Sequence, residues 1–576
     1  MGTRASVGLG AATAVLAAVA GLFMTVAARA AGPYSPPASV PRWGIGFRGD
    51  GTGVFAGSKP PVEWDEATGK NILWKAPLPN WGYSSPVPVG NRVLFMAEPG
   101  WKSIFPQLCC FDADTGELLW QRDVDPFDAF PDLDPAQRKA MTADLAWWQD
   151  LWRSAYRLTS RIAQAGGASA DSPEMQKANQ EMARLGFQVA GVRLNYGQLR
   201  ALSFDEPTKA RLKEIDRRLK PYGVVRYNTW DNNGRARVGY CFPTPVSDGR
   251  SVFVMTVHGT VACFDMDGRR LWSRDSGYRP GPSTSLMASP RLYGEMVLTP
   301  FIDHGSRNCL LAAWDKRTGE KRWSVPIPGG SLPGRQSRAG GGLVIMTLGQ
   351  TDVALCSTGY VVRLPDGRVY AARIDQTLPT YAVDDQNDVI HSAGHADSAT
   401  PRTAVELSLR GEELVVKDRY VLMKSYAPAS AVFAGGRLFA SQAQLDPVTG
   451  LLVGVPREQQ ADGIDFRKAP RTSPQTRHLL LATGTHVYGF YESRQKTGGR
   501  DGPAVLSGVG EVFTLDGRKV AANTLLWGPY EGEKLDQWSS QGFEHSFSYA
   551  CAFNIGGDRI YVCSNDWLYC IGEKDR

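Results

Sequence analysis

After residue 30 the sequence lacks any apolar run long enough to cross a bilayer, which excludes a helical membrane domain in the remainder of the chain. Histidine is scarce, with seven in 576 residues. His391-x-x-x-His395 with Asp397 would need a helix to converge on a metal, and Ser392-Ala393-Gly394 between them reads as loop. His258 and His304 are scattered behind strands. A Gly-x-Ser-x-Gly nucleophile motif is absent. Gly340-Gly341-Gly342 precedes a strand rather than a helix, which excludes a phosphate loop. Paired carboxylates such as Asp384-Asp385 lie in polar stretches and read as solvated. A concentrated basic stripe is also missing. The net charge of +6 falls to about +4 without Arg4 and Arg29, and residues 134–220 hold 15 Lys/Arg against 10 Asp/Glu. That is too mild for a nucleic-acid partner.

What is present is punctuation: 62 Gly and 37 Pro among short β-rich runs, with 16 Trp. A turn leading to tryptophan recurs. Asp112-Ala113-Asp114-Thr115-Gly116 runs to Trp120, Asp265-Met266-Asp267-Gly268 to Trp272, and Asp315-Lys316-Arg317-Thr318-Gly319 to Trp323. Worn copies follow at Asp366-Gly367, Asp446 to Gly450 and Asp516-Gly517. The Gly tolerates positive φ, the Asp accepts downstream amides, and the Trp can cover a neighbouring turn. A second series of runs, among them 92–96, 251–255, 343–346, 437–440 and 559–563, mostly starts every 45–50 residues or so, about one four-stranded blade.

These repeats predict an all-β chain, a β-propeller of eight blades with seven as the alternative. Counting eight takes 376–427 as a degenerate blade; seven takes it as a long loop. Residues 566–571 read as a strand lacking its outer neighbour, whereas Gly69 to Trp74 reads as a turn and outer strand lacking a blade. The leading strand should therefore close the last blade.

Residues 126–235 break the period. Asp134-Pro135, Ser172-Pro173 and Glu206-Pro207 open three helices, the first with an apolar stripe through Met141, Leu145, Trp148 and Trp152. The expected organisation is a signal peptide at 1–30, an extended segment at 31–60 and the closing strand with blade 1 at 61–125. A helical insertion at 126–235 and the remaining blades at 236–576 complete it. The insertion is a lid or a docking element for a partner. Arg4, the apolar run 11–26 and Ala28-Arg29-Ala30 predict export to the periplasm or beyond, with cleavage before Ala31 and no lipoprotein cysteine. Cys110, Cys263 and Cys570 share one repeat position about a sheet spacing apart, so they read as small core residues rather than disulfide partners.

The run Cys109 to Trp120 resembles the pyrroloquinoline quinone (PQQ) repeat, and Trp43-Gly44-Ile45-Gly46-Phe47-Arg48-Gly49 resembles the Trp-x-x-Phe-Arg-Gly opening of exported bacterial proteins of this kind. The resemblance covers nearly everything from Trp43 onward except the insertion. It implies one of two classes. Quinoprotein dehydrogenases hold PQQ and calcium on the propeller axis and oxidise alcohols or sugars. Relatives of the BamB type bind no quinone and act as scaffolds. The adjacent Cys109-Cys110 is similar to the vicinal disulfide of some quinoprotein dehydrogenases, but along a strand the two side chains point to opposite faces. No calcium, quinone or catalytic residue can be carried over position by position. The reading taken forward is an exported, non-catalytic binding or scaffold propeller, with a protein or carbohydrate of the cell envelope as partner and no cofactor. Its structural repeat residues are Gly69, Trp74, Asp112, Gly116, Trp120, Asp265, Gly268, Trp272, Asp315, Gly319, Trp323, Asp446 and Gly450.

Overall fold

A computed structural model describes residues 33–576 apart from 81, 83, 98–102, 165–171, 190–202, 227–242, 280–287, 302–308, 329–341, 365, 375–380, 385–388, 393–401, 423–430, 441, 461–469, 476–478, 497–503, 527–551, 565–566 and 575–576. The expected signal peptide, His304, His395, Asp397 and Asp385 lie outside these residues.

The chain is a propeller of antiparallel meanders. Blade 1 runs through Val87–Val89, Arg92–Ala97, Gln107–Asp112 and Leu118–Asp123. Blade 2 spans Val246–Ser247 to Arg270–Asp275, blade 3 Arg291–Tyr293 to Lys321–Pro326, and blade 4 Leu343–Leu348 to Val369–Arg373. Blade 5, Tyr381–Asp384 to Glu413–Leu422, is a full four-stranded sheet within 376–427. Blade 6 runs from Leu480–Thr483 to Lys519–Leu526 and carries Val54–Phe55 as a parallel fifth strand. Blade 7 joins Ala552–Gly556, Arg559–Cys563 and Trp567–Ile571 to the leading strand Ile72–Pro77, with Trp74 opposite Cys570.

The expectation of eight blades is therefore corrected to seven. Only seven of the sheets among the described residues reach four strands. Val432–Ala434, Arg437–Ala440 and Ala443–Leu445 form a three-stranded sheet that stops short of a blade. Its turn is intact, since Asp446 accepts from the amides of Val448 and Thr449 at 2.9 and 2.8 Å. The outer strand begins, with Leu452 bridged to Leu445 and the Val453 amide donating to Gln444 O at 3.0 Å, but goes no further. Buried Gln460 accepts from the Leu452 amide at 2.7 Å and donates to the carbonyls of Leu452 and Val455. Pro456 then removes the next donor.

Among the described residues three α-helices stand between blades 1 and 2, α1 (Pro135–Gln164), α2 (Pro173–Arg184) and α3 (Glu206–Leu219). Ser172 and Asp205 cap the amides of Met175 and Thr208, as their side-chain chemistry favours. The helices bury a shared apolar face: Trp148, Trp152, Met175, Met182 and Phe187 form one cluster with Leu212. Arg211 lies 3.7 Å over the Trp147 ring. No helix among the described residues is long and apolar enough to cross a membrane.

The repeat tryptophans lie across the blade joints. At Gly116, with φ +75°, an added Cβ would stand 2.6 Å from the Trp74 ring; at Gly319, with φ +69°, it would stand 2.6 Å from Trp272. The same relation links Gly268 to Trp120 and Gly367 to Trp323. Trp74, Trp120 and Trp272 each donate their indole N–H to a backbone oxygen of the covered turn, Ala113, Met266 and Lys316, at 2.9–3.0 Å. Each staple thus buries a large apolar ring and leaves its polar atom satisfied.

Candidate functional site

Residues 34–64 form a strap that passes through the ring. Tyr34 donates to the Gly249 carbonyl at 2.6 Å, Ser35 and Asn91 bond reciprocally, and Arg42 pairs with Asp352 at 2.6 Å. Ile45 then bridges to Ser247, the Arg48 guanidinium donates to Ala431 O, and Asn554 donates to Gly46 O at 2.9 Å. Ser247 and Asn554 lie on first strands of blades 2 and 7, and Ala431 directly precedes the three-stranded sheet. One short segment reaches these points around the ring only if it lies at the axis. Val54–Phe55 continues by pairing with the first strand of blade 6, and Trp64, stacked on Phe490, leads outward to the closing strand.

The strap turns tightly where it crosses the centre. Gly46 and Gly49 exchange backbone hydrogen bonds at 2.8 and 3.0 Å, and the amides of Gly51 and Gly53 both donate to the Arg48 carbonyl. Arg48 itself takes a left-handed backbone, φ +56°, an uncommon conformation for a residue with a side chain. It is fully buried, as is Arg291 from blade 3 at 1% exposure. Arg48 Nη2 donates to the Thr52 and Ala431 carbonyls at 2.9 and 2.7 Å; Arg291 donates to the Phe47 and Gly49 carbonyls at 2.5 and 3.3 Å. Burial, and then the like charge of Arg291, push the Arg48 guanidinium down to about 9; burial pushes Arg291 down to about 10. Asp50 opposes both shifts, and both arginines remain cationic at neutral pH.

Beside the strap, on the face carrying the hairpin turns of blades 1 and 7, lies a cavity of about 970 Å³. Strap residues Pro36, Ile45, Phe55 and Ser58 form one side, and Asn91 and Asp558 belong to the turns opposite. Asp558 accepts from the Lys59 amide at 2.6 Å. Arg559 donates to Ala113 O at 2.9 Å and pairs with Asp114 at 2.7 Å, so the cavity sits over the seam where the ring closes.

The sequence-derived residues divide accordingly. Gly69, Trp74 and the Asp–Gly–Trp sets of blades 1 to 3 lie at turns and joints away from the axis, and Asp446 and Gly450 lie at the turn of the three-stranded sheet. Cys109 and Cys110 are buried free thiols in adjacent clusters, and burial pushes Cys110 up to about 12 and Cys109 higher still. His258 is buried in a turn of blade 2, and burial holds it down to about 3. Arg291 and Asn554 escaped the sequence reading, and Arg48 entered only as part of a resemblance. Five glycines within residues 44–53 were the available signal for a backbone wrapped closely around something.

A calcium–quinone centre needs carboxylates gathered on the axis. Among the described residues no group of three or more His, Cys, Asp or Glu that could hold a metal occurs.

The sequence pattern of the family described as outer membrane protein assembly factor BamB matches residues 26–206 and 228–375, more than half of the chain. The chain belongs to this family. No curated protein matches. Among solved structures, the chain is similar to quinohemoprotein alcohol dehydrogenase ADHIIG from Pseudomonas putida HK5, at 10% identity and a TM-score of 0.33, covering 90% of this chain and 79% of that one. BamB from Moraxella catarrhalis matches at 10% identity and a TM-score of 0.25, covering 88% and 95%. Quinohemoprotein alcohol dehydrogenase from Comamonas testosteroni matches at 11% and 0.32, covering 89% and 79%. At these scores no residue is transferred from any of them.

Proposed function

We propose that the chain is an exported, non-catalytic member of this family that binds a protein of the cell envelope at the cavity over the ring seam. The observation that carries this reading is the open cavity of about 970 Å³ between the chain's own strap and the hairpin turns of blades 1 and 7. The cavity is bounded by turns and backbone, with Phe55 and Ile45 as apolar points and Asp558, Lys59 and Glu573 at its margin. Such a mixture suits a polypeptide surface better than a small polar substrate. The helical insertion enters less strongly, because its apolar stripe is already used in its own packing.

Two measurements test the reading. Adding PQQ and calcium chloride to the purified chain leaves the melting temperature unchanged; a saturable rise would replace this proposal with the oxidoreductase one. A photo-crosslinking residue at Ser58, in cells, captures a discrete protein partner that the same residue at exposed Val448 does not. Equal or absent capture at both positions removes the cavity from the proposal.

A further inference from the structure

The opening of the strap is dense in proline. Pro33, Pro36, Pro37 and Pro41 each fix their own φ and drive the residue before them to extended backbone. Residues 33–41 accordingly contain neither helix nor strand, only a single bend at Ala38. Their contacts with the ring repeat every third residue, the period of a polyproline II helix. Tyr34 donates to Gly249 O, and an added Cβ at Gly249 would stand 3.3 Å from Pro37 and 3.1 Å from Val40. The segment is pinned at both ends, by the Ser35–Asn91 bonds and by Arg42 on Asp352, so it is held extended before anything binds.

The residues between these anchors face outward. Pro36, Ala38, Ser39 and Pro41 are exposed and line the cavity. Among the described residues the backbone of 36–40 makes no hydrogen bond, which leaves its carbonyls as a row of free acceptors. There is room beside them, since an added Cβ at Gly57 or Gly557, both on the cavity wall, would meet nothing within 4 Å.

Proline rings pack flat on aromatic rings, and a preordered segment loses little entropy on binding. We infer that the partner grips residues 35–41 as a polyproline rail. Tryptophan or tyrosine side chains of the partner enter the cavity and lie on Pro36 and Pro41, while its N–H and O–H donors meet the carbonyls of 36–39. Such a grip presupposes a protein partner at this cavity, as proposed above, and goes further by naming the chemistry of its contact surface.

The test combines the photo-crosslinking residue at Ser58, in cells, with Pro36→Ala and Pro41→Ala together. Both prolines are exposed, and Tyr34, Pro37 and Val40 keep their contacts, so the melting temperature of the double variant is expected to match that of the parent. Capture of the partner falls about tenfold, as for two lost ring contacts. Ser39→Ala, on the same rail, leaves capture unchanged. Undiminished capture in the double variant overturns the rail and leaves the cavity reading standing; no capture with the unaltered rail removes both. A captured species that is a second copy of this chain also overturns the rail. Should the double variant melt well below the parent, 5-fluoroindole added to the purified full chain decides. Its fluorine resonance broadens saturably with the parent and not with Ser58→Trp, which fills the cavity; equal broadening with both, or none with either, overturns the rail.

Discussion

Two arcs of the ring solve the same joining problem with different chemistry. From Ile72 to Arg373 each joint is covered by a tryptophan laid on a positive-φ glycine, as Trp272 lies on Gly319. From Tyr381 to Leu526 the tryptophans are gone. A Cβ at Gly411 would meet nothing, and one at Gly517 would meet Gln444 and Thr472. Polar groups take over. Glu412 pairs with Arg363 and Arg368 across the joint between blades 4 and 5, and Gln444 donates to Leu515 O at 3.1 Å. Buried Glu511 accepts from Lys519 at 3.0 Å, from the Gln475 amide at 2.8 Å and from Arg471. An indole contributes area whatever the solvent does. A carboxylate contributes only while its partners stay in place.

The contrast can be broken by substitution. Trp272→Ala is expected to cost about 3–5 kcal/mol in chemical denaturation, from a ring only 6% exposed and the indole bond to Lys316 O. Glu511→Gln keeps the shape but loses the charge-assisted bonds, at about 1–3 kcal/mol. If it matches Trp272→Ala, the two arcs are equally stapled and the comparison falls. Glu412→Ala, with that carboxylate largely in solvent, is expected to lie within about 1 kcal/mol of the parent. A pH series sharpens the same point within the first arc. The Arg322 guanidinium, followed by the Thr318 amide, draws the Asp315 carboxyl down to about 2. A lowered carboxylate stabilises the fold above its unfolded pKa of about 4, and that contribution disappears as pH falls toward 2. The parent should therefore lose stability over that window more steeply than Asp315→Asn; parallel curves would show the turn to be indifferent to its charge.

Ring closure was legible because half-units are conspicuous. A turn ending in Trp74 without a blade and a strand at 567–571 without a neighbour have one mutual solution, and they pair. The turns were legible too, since Asp112 and Asp315 each accept amides two and three residues ahead. The blade count failed at one place for a local reason. The worn turn Asp446 to Gly450 read as part of a repeat, and nothing in it reveals that the strand after it stops at a single bridge, with Gln460 bonded to Leu452 and Val455. The axial site was hidden by distance and by type. An arginine in a glycine-rich stretch reads as surface, and the residue holding its loop, Asn554, stands 508 positions from Gly46.

That span of 508 positions bears on when the molecule can form. The strap must be seated by Asn554, and the closing strand by Trp567–Ile571, so neither can settle until those residues have been made. Earlier blades can stack on one another as they emerge, but the hub stays empty and the rim unsealed throughout. Completion therefore comes as one late event, in which the centre fills and the perimeter locks together.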